Sequence, residues 1–187
     1  DAPDPKSVKR YLREFLSDRR VIEIPALLWQ PILRGIILNT RPKKSAHAYS
    51  LVWRDDGSPL AAITRAQAVA LKDAFGPGVM VDWAMRYGRP AIADQVKAMK
   101  AAGCERILLA PLYPQYSTTT TFSAIQNWYG AAQKADLNAP TVEVCCYPVD
   151  PGFIDASIDL IQKSLLSAPP KTRVLFSAHG LPENIIH

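Results

Sequence analysis

Residues 106–112, Arg106-Ile107-Leu108-Leu109-Ala110-Pro111-Leu112, form a short apolar run of strand length, and the flanking segments Ala91 to Ala102 and Ser123 to Ala135 repeat their apolar residues at helical spacing. The alternation continues outward. Val79 to Met85 reads as a preceding strand, Thr141 to Cys146 and Arg173 to Phe176 as following strands, and Phe153 to Leu166 as the helix between them. Parallel strands need crossover connections, and the helices that make them cover both faces of the sheet. The pattern therefore predicts a three-layer α/β domain with a parallel sheet and right-handed connections. Ligands in such sheets bind at the carboxyl ends of the strands, which directs attention to Arg86-Tyr87, Tyr113 to Thr121, Tyr147 to Asp150 and Ser177 to Pro182.

Towards the amino terminus, Val8, Tyr11, Leu12 and Phe15 mark an amphipathic helix from Ser7 to Phe15, with Pro5 placed to help start it. Ile22 to Leu38 is almost continuously apolar and reads as helix interrupted at Pro31. Core packing is one account of it. The other is an apolar lip that receives a flat hydrophobic ligand or touches a membrane surface, and the sequence leaves both open. Arg41, Lys43 and Lys44 form a small basic cluster near Tyr49, Trp53 and Arg54, for which a solvated face is the default reading; the turn Asp56-Gly57-Ser58-Pro59 follows. Thr64 reads as the N-cap of a helix reaching Phe75 and stopped at Gly76-Pro77-Gly78.

The 187 residues, 48% of them hydrophobic, suffice for one sizeable core. A net charge of +5 suits an anionic ligand, but the Lys and Arg are scattered, so nucleic acid is not an expected partner. Cys104, Cys145 and Cys146 include no Cys-x-x-Cys pair; they fit a reducing cytosol and read as small buried hydrophobes. No uncharged apolar run approaches the roughly 20 residues of a spanning helix. The start at Asp1 lacks an initiator Met and a signal-peptide layout, and reads as that of a fragment. No glycine-rich phosphate loop follows a strand, so no nucleotide cofactor is expected, and no Gly-x-Ser-x-Gly elbow supports acyl transfer.

His179 stands directly beyond the apolar strand Val174-Leu175-Phe176, before Gly180 and Pro182, which shape a tight loop. An imidazole at that ligand edge can accept a proton or bind a metal. Position alone divides evenly between a structural histidine and a site residue.

Three motifs resemble the ferrochelatase family in order and spacing: Met85-Arg86-Tyr87, Tyr113-Pro114-Gln115-Tyr116-Ser117 followed by threonines, and Phe176-Ser177-Ala178-His179-Gly180-Leu181-Pro182. Asp56-Gly57-Ser58-Pro59 and Leu16-Ser17-Asp18 leading to Ile24-Pro25 extend the resemblance over essentially the whole chain. It implies two similar chelatase-like α/β halves, each flavodoxin-like, with the porphyrin in the cleft between them. Residues 1–170 would then be the first domain without its opening strand, and 171–187 the strand and loop that begin the second. The remainder of the second half, including a glutamate opposing the histidine, would lie outside this sequence, and the fragment alone would be inactive.

The implied activity is insertion of Fe2+ into protoporphyrin IX or coproporphyrin to make haem, in a bacterial cytoplasm with a peripheral contact at the inner membrane. Ferrous iron and porphyrin are the implied partners, with iron as substrate. By the same resemblance His179 is catalytic and metal-contacting, as base or as ligand. Tyr113 and Ser117 line the pocket near it, and Arg86 and Tyr87 lie on the ring's other side or on a metal route. Ser58 and Tyr49 match positions that hydrogen-bond propionates, for which Arg41 and Lys43 could supply charge. Thr118 stands where animal members have a cysteine ligand of an iron–sulfur cluster, so a [2Fe–2S] cluster could be held only through the absent carboxyl-terminal part. Val149 and Asp150 follow Tyr147-Pro148 where animal members carry histidines, so that metal route is not carried over. The rival readings are a cobalt- or nickel-inserting relative and a haem- or porphyrin-binding module without turnover.

Overall fold

Asp4 caps the first helix by accepting the Lys6 and Ser7 N–H groups on Oδ1 at 2.9 and 3.1 Å, and Pro5 occupies the first helical position, where its missing N–H costs nothing. The computed structural model describes residues 2–178, 180 and 183. Helix α1 covers Pro5–Leu16, α2 Ala26–Ile32, α3 Leu38–Ser50, α4 Pro59–Phe75 and α5 Ile92–Ala101. Strand β1 (Ile107–Leu109), α6 (Ser123–Lys134), strand β2 (Thr141–Glu143) and α7 (Pro151–Leu166) follow, and π-helical turns occupy Leu33–Ile37 and Thr118–Phe122. No described helix is long and apolar enough to cross a membrane.

The expected break at Pro31 does not occur. Pro31 lies inside α2 and has no N–H to donate back along the helix, and two residues later the ladder widens, so that the Leu38 N–H reaches the Leu33 carbonyl five residues back. Carbonyls displaced by the wider turn find side chains: Asn39 Nδ2 donates to Arg34 and Gly35 at 3.1 and 2.9 Å, and Thr40 Oγ1 to Ile36 at 2.9 Å. The α4 start also differs from expectation. Ser58, not Thr64, is the cap, accepting the Ala61 N–H on Oγ at 3.2 Å with Pro59 next in line; Thr64 is interior, its hydroxyl donating to Leu60. A serine followed by proline satisfies both demands of a helix start at once.

The α/β class with a parallel sheet holds. Ile107 N–H bonds to the Pro140 carbonyl and Val144 N–H to the Leu109 carbonyl, both at 2.9 Å, so rising residue numbers pair with rising ones, and α6 lies between β1 and β2 in the chain. Among the described residues the sheet has two strands. The expected strand at 79–85 is reduced to one parallel bridge between Met85 and Ala91, and Asp82 Oδ1 takes the Trp83 N–H at 2.8 Å, a local bond that competes with a ladder. The expected strand at 173–176 has no pairing partner among the described residues, and its Leu175 and Phe176 are exposed.

Two compact units divide the chain. The first comprises Asp1–Ile107 and Gln126–Pro140. Its main core joins Val8, Leu12 and Leu16 of α1 to Leu33, Leu38 and Ala46, with Tyr11, Phe15, Ile22, Trp29 and Ile37 packed around them. Burying each large aliphatic side chain here contributes about 1.5–3 kcal/mol before entropy is counted. Trp29 Nε1 donates to the Leu16 carbonyl at 2.7 Å and so satisfies one of the unpaired carbonyls at the end of α1. The second unit comprises Leu108–Ile125 and Thr141–His187. Within it Asp150 caps α7 through the Phe153 N–H at 3.1 Å, and Ser117, Thr121 and Ser123 are buried.

Candidate functional site

In the first unit, Arg86 and Tyr87 come together on Asp18, as their sequence positions alone do not reveal. Asp18 lies just past the end of α1, in a turn closed by its own carbonyl accepting the Val21 and Ile22 N–H groups. Arg86 and Tyr87 occupy a tight loop closed by Met85 N–H to the Pro90 carbonyl at 2.8 Å, in which Gly88 adopts φ +83°, a conformation that favours glycine. Arg86 pairs with Asp18 Oδ2, and the Tyr87 hydroxyl donates to the same oxygen at 2.9 Å. The guanidinium carbon sits 4.4 Å from the Tyr87 ring centre, and that ring meets Phe15 edge-on at 5.1 Å.

Burial pushes the Asp18 carboxyl up, but the Arg20 N–H, the Tyr87 hydroxyl and the charges of Arg86 and Arg20 outweigh it and hold the group below the usual carboxylate range. The carboxylate is thereby kept ionised at neutral pH, and Arg86 is fixed in direction by an ion pair on one side and an aromatic face on the other.

Two grooves of this unit share the cluster. One, about 630 Å³, is lined by Arg10, Arg13, Arg19, Arg20 and Arg86 against only Glu14 and Asp18 as carboxylates. The other, about 540 Å³, gathers Arg20, Arg86, Lys97 and Lys134 with the Gln126 and Asn127 amides and no carboxylate among its lining. Forked guanidiniums in such surroundings suit bidentate carboxylate or phosphate groups.

Arg41 is exposed on α3, Tyr49 is exposed near the same helix's end, and Ser58 is half-buried at the head of α4. Among the described residues no hydrogen bond or ion pair joins these three to one another. Ser58 is positioned by the turn Arg54–Gly57, whose ends exchange backbone bonds at 3.0 and 3.1 Å with Gly57 at φ +114°. The apolar stretch from Ile22 to Leu38 resolves into two faces. Leu33 and Leu38 are buried, whereas Leu27 and Leu28 are 87% and 63% exposed and Ile32 and Ile36 are exposed beside them.

In the second unit, Ser117 is buried and caps the π turn, its Oγ accepting the Thr120 N–H at 3.2 Å and lying 2.6 Å from Thr120 Oγ1 and 3.1 Å from Thr119 Oγ1. Thr121 is fully buried, and its hydroxyl has no partner among the described residues. Tyr113 is half-buried in the preceding loop. Tyr147, whose hydroxyl reaches the Pro111 carbonyl at 3.4 Å, is pushed up by burial. The cysteines depart from expectation: Cys145 and Cys146 are exposed, and only Cys104 is partly buried, with its sulfur 3.8 Å from that of Met80 in the first unit. Cys145 and Cys146 both stand past Glu143, the last residue of β2, rather than within the sheet. His179 lies outside the described residues, and among those described no three His, Cys, Asp or Glu side chains gather closely enough to hold a metal ion.

Asp18 is the organiser that periodicity missed. Its signal was a lone carboxylate ahead of two arginines at a helix end, which identifies a local turn but not a partner 68 residues away.

Fold and site define an α/β protein that presents cationic grooves and an uncovered apolar helix face. Across residues 1–187 the chain matches the family described as Ferrochelatase. It is 49% identical over 190 residues to a ferrochelatase of Rhizobium meliloti (strain 1021), covering 98% of this chain and 56% of that protein. It is 46% identical to a ferrochelatase of Azoarcus sp. (strain BH72), covering 97% and 50%, and 44% identical to one of Stenotrophomonas maltophilia (strain R551-3), covering 99% and 57%. The chain belongs to the ferrochelatase family, and it spans about half the length of these relatives.

Proposed function

We propose that the whole protein inserts Fe2+ into a porphyrin, protoporphyrin IX or coproporphyrin, and releases the pyrrole protons as haem forms. The family match over residues 1–187, with relatives that carry the name ferrochelatase, is the observation that supports this reading most. The chemistry of the surfaces agrees with it. A porphyrin is an apolar disc with carboxylates on one rim; the exposed Leu27, Leu28, Ile32 and Ile36 suit the disc, and the exposed Arg41 and Lys43 suit the rim. Capping α4 uses a lone pair of Ser58 Oγ and leaves its proton to donate to a propionate, a role Tyr49 would share.

Metallation needs a proton acceptor over the ring and a donor atom on the metal's path, and binding the ring bent exposes its nitrogen lone pairs. In this reading His179 is the acceptor or the ligand, Tyr113 and Ser117 line the pocket around it, and Arg86 and Tyr87 face the ring or the metal route. Residues 1–170 form the first domain and 171–187 begin the second, which also carries the opposing glutamate and any [2Fe–2S] ligands. The protein works in a bacterial cytoplasm, with a peripheral membrane contact.

Anaerobic incubation of the whole protein with Fe2+ and protoporphyrin or coproporphyrin, followed by absorption, tests the proposal. The free-porphyrin bands should give way to those of haem. Porphyrin bound without turnover would instead favour a carrier, and turnover with Co2+ or Ni2+ but not Fe2+ a relative of different metal choice. His179→Ala should abolish insertion while leaving porphyrin binding largely intact; retained turnover would remove this histidine from the mechanism.

A further inference from the structure

Ser117 is only 1% exposed, and the neighbours of its hydroxyl use everything that a hydroxyl can offer. The Thr120 N–H donates to Oγ at 3.2 Å, while Thr120 Oγ1 lies 2.6 Å and Thr119 Oγ1 3.1 Å from the same atom. A hydroxyl accepts two hydrogen bonds and donates one. With the amide on one lone pair, Ser117 takes a proton from one threonine and gives its own to the other. Its capacity is then full. The threonines are the opposite case: both are half-buried, and among the described residues neither hydroxyl has a partner other than Ser117. The hydroxyl that donates to Ser117 keeps its lone pairs, and the one that accepts from Ser117 keeps its proton. Ser117 thereby fixes an acceptor and a donor side by side.

We propose that Thr119 and Thr120 contact the nitrogen centre of a free-base porphyrin, and that Ser117 is a positioning residue acting through them; this rests on the metal-inserting function proposed above. Chemistry chooses between the two substrates of that reaction. A hydrated ferrous ion presents O–H donors and a Lewis acid, so a donating hydroxyl meets no acceptor on it. A free-base porphyrin presents both N–H groups and nitrogen lone pairs, which match an acceptor and a donor held together. Metallation removes both kinds of group from the ring. The same pair therefore holds substrate in preference to product, and favours release once the metal is in.

The test titrates the whole protein with protoporphyrin and with zinc protoporphyrin, reading protein fluorescence, and measures metal insertion alongside. The parent should bind the free base about tenfold tighter than the zinc complex. Thr119→Val and Thr120→Val should each narrow that preference and the double variant should abolish it, whereas Thr119→Ser and Thr120→Ser should restore it to within about twofold. Ser117→Ala should narrow the preference in the parent and change nothing further in the double valine variant. Thr121→Val removes a hydroxyl that is fully buried and has no partner among the described residues, and should bind as the parent does. Thermal unfolding of every variant separates lost recognition from lost structure. A parent without the preference, a double valine variant that retains it, an equal loss in Thr121→Val, or a further loss from Ser117→Ala on the double variant overturns the assignment. A parent that shows the preference but does not insert metal removes the proposed turnover and leaves these contacts standing; one that binds neither porphyrin removes both.

Discussion

The inner and outer faces of the stretch from Ala26 to Leu38 have the same composition and opposite fates. Leu33 is wholly enclosed and Leu38 nearly so, packed with α1, while Leu27 and Leu28, six and five residues before Leu33, are 87% and 63% exposed. Hydrophobicity here answers two demands, a core that holds α1 against α3 and a surface left wet. An uncovered apolar patch of this kind is tolerated at a functional face more readily than elsewhere. Periodicity alone could not divide the stretch, because a helix apolar all round looks the same whether it is enclosed or awaiting a ligand.

Leu33→Ala attacks the inner face and should have the largest effect on stability, a loss of about 2–5 kcal/mol, read as a lower urea midpoint at unchanged slope. Asp18→Asn acts where the inner face meets the end of α1. Removing the charge from beneath Arg86, Arg20 and the Tyr87 hydroxyl should cost about 2–3 kcal/mol at neutral pH. The same variant carries a pH signature. The native Asp18 carboxyl lies below its unfolded value, so its contribution is fully present above the ordinary carboxylate range and is lost as pH falls through the native value; Asp18→Asn should flatten that part of an acid unfolding profile.

Trp29→Phe keeps most of the inner face's bulk and deletes the 2.7 Å bond to the Leu16 carbonyl, for an expected loss of about 1 kcal/mol in thermal unfolding. Leu27→Ser and Leu28→Ser should change stability by no more than about 0.5 kcal/mol. If the outer face carries the ring, as proposed, the same pair should weaken porphyrin binding in a fluorescence titration. A stability loss as large as that of Leu33→Ala would mean that the two faces do not differ as described.

Much of the helical framework was legible in sequence because its cues are local. The expected spans 91–102, 123–135 and 153–166 became Ile92–Ala101, Ser123–Lys134 and Pro151–Leu166, each within two residues at either end. The cap at Ser58 was also written in the Ser-Pro pair, whose helix-starting role the turn reading passed over. Strand length was not legible: 79–85 has strand composition, yet an Asp82 side chain that bonds to the neighbouring backbone competes for the groups a ladder would use. The Arg86–Tyr87 pair could be named from its motif, but its anchoring on Asp18 depends on chain elements 68 and 69 residues apart, which no periodicity encodes. The cysteines were misplaced for the opposite reason, since a residue type that is usually enclosed was assigned its usual environment.

The π turn at Leu33–Ile37 works like one extra tooth in a gear. Each residue added to a helix advances its azimuth by about 100°, so everything after the turn is rephased relative to Ala26–Ile32 by that amount. Deleting one residue between 33 and 37 would restore ordinary helical winding and at the same time swing Leu38 and Ala46 off their seat against α1. The wide turn is therefore the gauge that sets which side of α3 looks inward, and its length is under tighter constraint than the identity of the exposed residues within it.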